Sequence, residues 1–105
     1  MKQRYRVDFK RLNRTLLADR ASLLSEWLPG GKISGRNYIC GNLQGASGAS
    51  LKVSIDTGAW IDFATGEKGG DLISLYAAIK KLGQVEAAKK LLLAYEPSST
   101  RSFNQ

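Results

Sequence analysis

Apolar residues along this chain change rhythm twice. From about Asn13 to Leu28, the positions Leu16, Leu17, Leu23, Leu24, Trp27 and Leu28 recur on one side of a 3.6-residue repeat and predict an amphipathic helix. Pro29-Gly30-Gly31 stops it. The period then shortens. Arg36 to Cys40, Ser50 to Asp56 and Trp60 to Phe63 predict strands, the last two joined by a hairpin-like turn at Thr57-Gly58. Between the first two, Asn42 to Ser50 is rich in Gly, Ala and Ser and predicts a mobile loop. Helical spacing returns at Leu72, Ile73, Leu75, Tyr76, Ile79 and Leu82, behind the sharp turn that Gly69-Gly70 allows and an Asp71 placed as an N-cap. This helix is expected to end near Leu82 with Gly83 as its left-handed stop. A second runs from about Gln84 to Tyr95, offers Val85, Ala88, Leu91, Leu92 and Ala94 to the core, and is closed by Pro97. The expected fold class is α+β: a small antiparallel sheet of about three strands, flanked by an N-terminal helix and a C-terminal helix pair. No internal repeat is visible.

With 105 residues the chain is expected to form one domain with a modest core. Its expected divisions are a basic arm at 1–14, the domain proper at 15–95 and a flexible polar tail at 96–105. One cysteine excludes an internal disulfide, and the absence of histidine removes the ligands of a structural Cys/His zinc site, so neither metal nor cofactor is expected. No apolar run approaches the roughly 20 residues of a membrane span. The start, Met-Lys-Gln-Arg-Tyr-Arg, lacks the apolar centre of a signal peptide. A cytoplasmic protein with no membrane partner is the expectation.

Charge narrows the partner. Sixteen Lys and Arg against nine Asp and Glu give a formal +7, which favours a polyanion, nucleic acid ahead of an anionic membrane surface. The densest stretch, residues 2–14, holds Lys2, Arg4, Arg6, Lys10, Arg11 and Arg14 against Asp8 alone, with Tyr5 and Phe9 interleaved. Two readings stand side by side: an arm that tracks phosphates while its aromatics stack on bases, or a solvated helix entry whose Tyr5 and Phe9 pack on the core. On the strands, Trp60 and Phe63 lie three apart and so face opposite ways. If Trp60 and Tyr38 share the outer face with Lys52 and Arg36, they form a stacking platform on a basic sheet; otherwise Trp60 is core and the cations are merely solvated. Lys80, Lys81, Lys89 and Lys90 form two lysine pairs that are either solvated faces or an extension of the positive field.

Catalytic chemistry finds little support. No nucleophile has an evident base, and Asp56, Asp62 and Asp71 have plainer roles before a turn, on a strand and at a cap. Gly66-Glu67-Lys68-Gly69-Gly70-Asp71 departs from the Gly-x-x-x-x-Gly-Lys-Ser/Thr phosphate loop, and an acidic N-cap competes with a bound phosphate. Lys68 is left as a non-catalytic phosphate contact. Cys40, without a partner, reads as a small buried hydrophobe.

The string Gly58-Ala-Trp-Ile-Asp-Phe-Ala-Thr-Gly-Glu-Lys-Gly-Gly-Asp71 resembles the second half of the zinc-ribbon domain of bacterial and phage DNA primases, where an aromatic strand carries Cys-Phe-Gly-Cys-Gly and runs into Gly-Gly-Asp. Gly35, Tyr38 to Leu43 and Ser50-Leu51-Lys52-Val53 correspond to the first half. The similarity runs from about Leu16 to Leu93 and is greatest toward the N-terminal modules of phage and mobile-element primase-helicases. Carried over position by position, the zinc ligands would be Cys40, Leu43, Asp62 and Thr65, of which only Cys40 retains the chemistry. A metal-free ribbon must replace roughly 10 kcal/mol or more of zinc binding with apolar burial. Leu43, Phe63, Trp60, Trp27 and Leu51 are the expected replacements.

The resemblance and the charge together imply a non-catalytic module of DNA replication that binds single-stranded DNA and works with a replicative polymerase, primase or helicase subunit. Its expected DNA-binding residues are Arg4, Arg6, Lys10, Arg11, Arg14, Arg36, Tyr38, Lys52, Trp60 and Lys68. Two alternatives remain open: an adaptor that docks on such a polymerase or helicase, and a duplex-DNA regulator using Asp71 to Tyr95 as a helix-turn-helix with Gly83 in the turn.

Overall fold

The first helix begins earlier than its leucines suggest, because Asp8 caps it: the carboxylate accepts the Arg11 N–H at 3.1 Å. In the computed structural model, which describes residues 7–95, helix α1 runs Phe9–Leu17 and helix α2 runs Arg20–Trp27. The single helix expected over 13–28 is therefore broken at Ala18-Asp19. Asp19 is a poor helix-interior residue, and it takes the N-cap position of α2. Leu12 and Leu16 of α1, with Leu23, Leu24 and Trp27 of α2, are buried. Phe9 packs against the core and so is not a free stacking aromatic. Arg4, Arg6, Tyr5 and the tail at 96–105 lie outside the described residues.

Five antiparallel strands follow in simple meander order: β1 Lys32–Ser34, β2 Asn37–Cys40, β3 Leu51–Ser54, β4 Trp60–Asp62 and β5 Lys68–Gly69. The three expected strands are the inner ones. The two that escaped notice are edges of two or three residues with no buried apolar position to set an alternation. Strand β1 reaches β2 through Gly35-Arg36, with Gly35 at φ +61°, as two-residue hairpins require.

Helices α3, Leu72–Lys80, and α4, Gln84–Tyr95, complete the chain. Asp71 caps α3 as expected: its carboxylate accepts the Ser74 N–H at 2.8 Å, and Ser74 reaches back to the Asp71 N–H, closing a capping box. The far end differs from expectation. Lys81, at φ 59°, is the left-handed residue, and the Leu82 N–H returns to the Ala77 carbonyl at 2.9 Å. That closure pulls Leu82 back onto the core, and Gly83 is left to start α4, its carbonyl accepting the Ala87 N–H. On α4, Ala87, Ala88 and Leu91 point inward and Leu92 is half-buried, whereas Val85 and Ala94 are exposed rather than core residues.

The helices share one hydrophobic core with the inner face of the sheet. Two rows of that face pair in register, Tyr38 with Val53 and Trp60, and Cys40 with Leu51 and Asp62. The polar tips inside are satisfied: the Tyr38 hydroxyl donates to the Leu28 carbonyl at 2.6 Å, and the Trp60 indole donates to Ser74 Oγ at 2.9 Å. Burial, with a smaller push from Cys40, raises the Tyr38 phenol above its ordinary pKa. Asn13 joins three elements. Its Nδ2 donates to the Thr57 carbonyl and its Oδ1 accepts the Leu72 N–H, both at 2.9 Å, so α1 holds the β3–β4 turn and the start of α3. The loop over 42–50, expected to be mobile, is internally tied: Asn42 Oδ1 accepts the N–H groups of Gln44 and Ala46, and Gly30 N–H binds the Gly45 carbonyl.

Candidate nucleic-acid interface

The outer face of the sheet carries an alternating row. Register pairs Lys32 with Ile39, Ile39 with Lys52, Lys52 with Ile61 and Ile61 with Lys68, so these five side chains stand side by side across all five strands on the face away from the core. The three lysines are exposed and the two isoleucines half-buried. Interleaving matters energetically: like charges directly opposite one another destabilise a sheet, and each isoleucine separates two lysines by two strand spacings, about 10 Å. The isoleucines also offer apolar surface for the lysine stems while the ammonium groups stay in water.

One aromatic completes this face. Phe63 lies just beyond β4, its N–H bonded to the Ser50 carbonyl, and is 62% exposed. The Lys52 ammonium lies 5.7 Å from its ring centroid, within cation–π range. Phe63 was expected in the core. Strand alternation forbids it: Trp60 and Asp62 point inward, so Ile61 and Phe63 point outward.

The expected platform is thereby corrected. Tyr38 and Trp60 are core residues with their polar tips bonded inside, so neither offers a stacking surface. Arg36 sits in the β1–β2 turn, 80% exposed, and pairs with Asp56 across the neighbouring hairpin. Lys52 and Lys68 belong to the outer row. Lys68 does not meet a cradle of free amides: the α3 N–H groups of Leu72 and Ser74 are taken by Asn13 and Asp71. Lys10, Arg11 and Arg14 lie exposed on α1, a surface built by a different element. Arg4 and Arg6 fall outside the described residues. Sequence reasoning missed Lys32, Ile39, Ile61 and Phe63. The signal was the two-residue period through Trp60-Ile61-Asp62-Phe63, which fixes Phe63 outside once Trp60 is inside.

The positions that resemblance assigns to zinc do not fit the ion. Leu43 has no donor atom, and Cys40 is buried with its thiol donating to the Ala46 carbonyl at 3.1 Å. Cys40 and Asp62 are separated in register by the buried Leu51. Asp62 Oδ1 accepts the Ala64 N–H at 2.9 Å and so holds its own turn. Among the described residues no group of three or more His, Cys, Asp or Glu is placed to hold a metal, and no helix is long and apolar enough to cross a membrane.

The chain matches no protein-family model, no curated protein and no solved structure.

Proposed function

We propose that this chain is a cytoplasmic, non-catalytic nucleic-acid-binding module of DNA replication, a primase-ribbon-like domain without its metal, that binds single-stranded DNA. The observation that carries the reading is the outer sheet face, where three exposed lysines alternate in one row with two half-buried isoleucines, the exposed Phe63 stands beside them, and no acidic side chain enters the row. Cations for phosphates combined with an aromatic for bases is the pairing that sequence-tolerant single-strand binding uses. Lys10, Arg11 and Arg14 on α1 add a second basic surface, and the formal +7 supplies long-range attraction. A replicative polymerase, primase or helicase subunit is the natural protein partner of such a module.

Docking on such a subunit through the helix pair is a second reading, favoured by Val85 and Leu93 standing 52% and 74% exposed on α4. Fluorescence anisotropy with labelled single-stranded and duplex DNA at two salt concentrations tests the first. Micromolar or tighter binding at low salt, preference for single strands and a log-log salt slope of about −0.7 per phosphate contact are expected. No binding at low salt overturns it and directs attention to the exposed α4 face.

A further inference from the structure

Resting on the single-strand reading, we infer that the bound strand crosses the β-strands along the Lys32, Lys52 and Lys68 row, with one base stacked on Phe63, in a footprint of only about four to six nucleotides. Direction follows from where the charges lie. Each lysine of the row belongs to a different strand, β1, β3 or β5, so a phosphate chain meets all three only by running perpendicular to them. Four strand spacings span about 19 Å from Lys32 to Lys68. A stacked strand advancing about 3.4 Å per nucleotide covers that distance in about six nucleotides, and an extended one in fewer.

Phe63 is placed for the base. It lies on the same face, two residues beyond Ile61, and therefore beside the row rather than in it. The Lys52 ammonium already occupies one side of its ring. A base that stacks there displaces this cation from the ring, and a phosphate in the row receives it. Phosphate contact and stacking are thus coupled through Lys52, and the two side chains act as one unit. The base-stacking role that the sequence assigned to Trp60 and Tyr38 passes to an aromatic that solvent can reach.

The test is anisotropy titration of the full chain with labelled oligothymidylates of increasing length. Wild-type affinity per site is expected to level off at about six nucleotides. Phe63→Ala weakens binding about 5- to 150-fold, the range of a lost base–aromatic stack, and Phe63→Trp restores it. Changing Lys32, Lys52 and Lys68 together to alanine reduces the salt slope by about 2, three contacts at about 0.7 each. All four side chains are exposed, and circular dichroism checks that the variants keep their fold. If DNA binds the wild type but these changes leave affinity, slope and length dependence untouched, while Lys10, Arg11 and Arg14 changed to alanine abolish binding, the inference fails and the function stands. Absence of binding by the wild type at low salt removes both.

Discussion

Replacing Asn13 with alanine should destabilise the domain far more than its half-buried position on a basic helix suggests. The carboxamide makes two hydrogen bonds across 44 and 59 residues of sequence, to the Thr57 carbonyl and from the Leu72 N–H. Thr57 is exposed, so its carbonyl recovers a water and the loss there is small, about 0.5–1 kcal/mol. Leu72 is fully buried, and its orphaned N–H costs about 1–3 kcal/mol. The sum is about 1.5–4 kcal/mol, a Tm decrease on the order of 6–30 °C for a domain of this size. Urea unfolding followed by tryptophan fluorescence gives the free energy, and amide exchange at Leu72 shows where it is lost. Asn13→Asp keeps the acceptor for Leu72 but turns a second acceptor toward the Thr57 carbonyl, so it should recover only part of the loss. If Asn13→Ala lies within 0.5 kcal/mol of wild type, or if Leu72 exchange is unchanged, the clamp is not what joins α1 to the sheet turn and α3.

Two further substitutions probe the inner face. Gly69→Ala would set a Cβ 2.1 Å from Ser74 Oγ and 2.5 Å from the Trp60 indole nitrogen, so it should cost about 1–3 kcal/mol and shift tryptophan emission; unchanged stability would show that Ser74 and Trp60 give way freely. Tyr38→Phe should lose about 1 kcal/mol at neutral pH with the Leu28 hydrogen bond. Because the folded-state phenol pKa lies above its unfolded value near 10, the stability it contributes is complete below pH 10 and is lost as pH rises through the folded value. The Tm gap between wild type and Tyr38→Phe should therefore be constant below pH 10 and narrow as pH rises above it, and a gap that stays constant above pH 10 would refute the argument.

Long apolar runs and sharp punctuation were legible in the sequence. The Asp71 cap, the Thr57-Gly58 turn and the three central strands follow from residue chemistry that acts over a few positions. What escaped is what depends on partners. The edge strands β1 and β5 have no apolar pattern of their own and exist because β2 and β4 offer them hydrogen bonds. The Lys81 closure wins over Gly83 because Leu82 gains a core contact by turning in, a benefit invisible to propensity alone. Asn13, between Arg11 and Arg14 in the sequence, looked like part of a basic stretch. Its role is defined by atoms more than forty positions away.

The candidate site was half legible for the same reason. Lys52 and Lys68 were singled out as cations, but a row exists only once five strands are in register, and neither Lys32 nor the isoleucines declare themselves in isolation. The aromatic assignment turned on the residue between Trp60 and Phe63. Asp62 reads as a surface residue by composition, which argues for turning Trp60 outward. It is buried because the turn uses it: its side chain accepts the Ala64 N–H, its carbonyl accepts the Gly66 N–H at 2.7 Å and its own N–H donates to the Glu67 carbonyl at 2.8 Å. Once Asp62 is held inside, alternation leaves no freedom: Trp60 must join the core, Ile61 and Phe63 must face water, and the aromatic that meets solvent on the outer sheet face is the one that follows the aspartate.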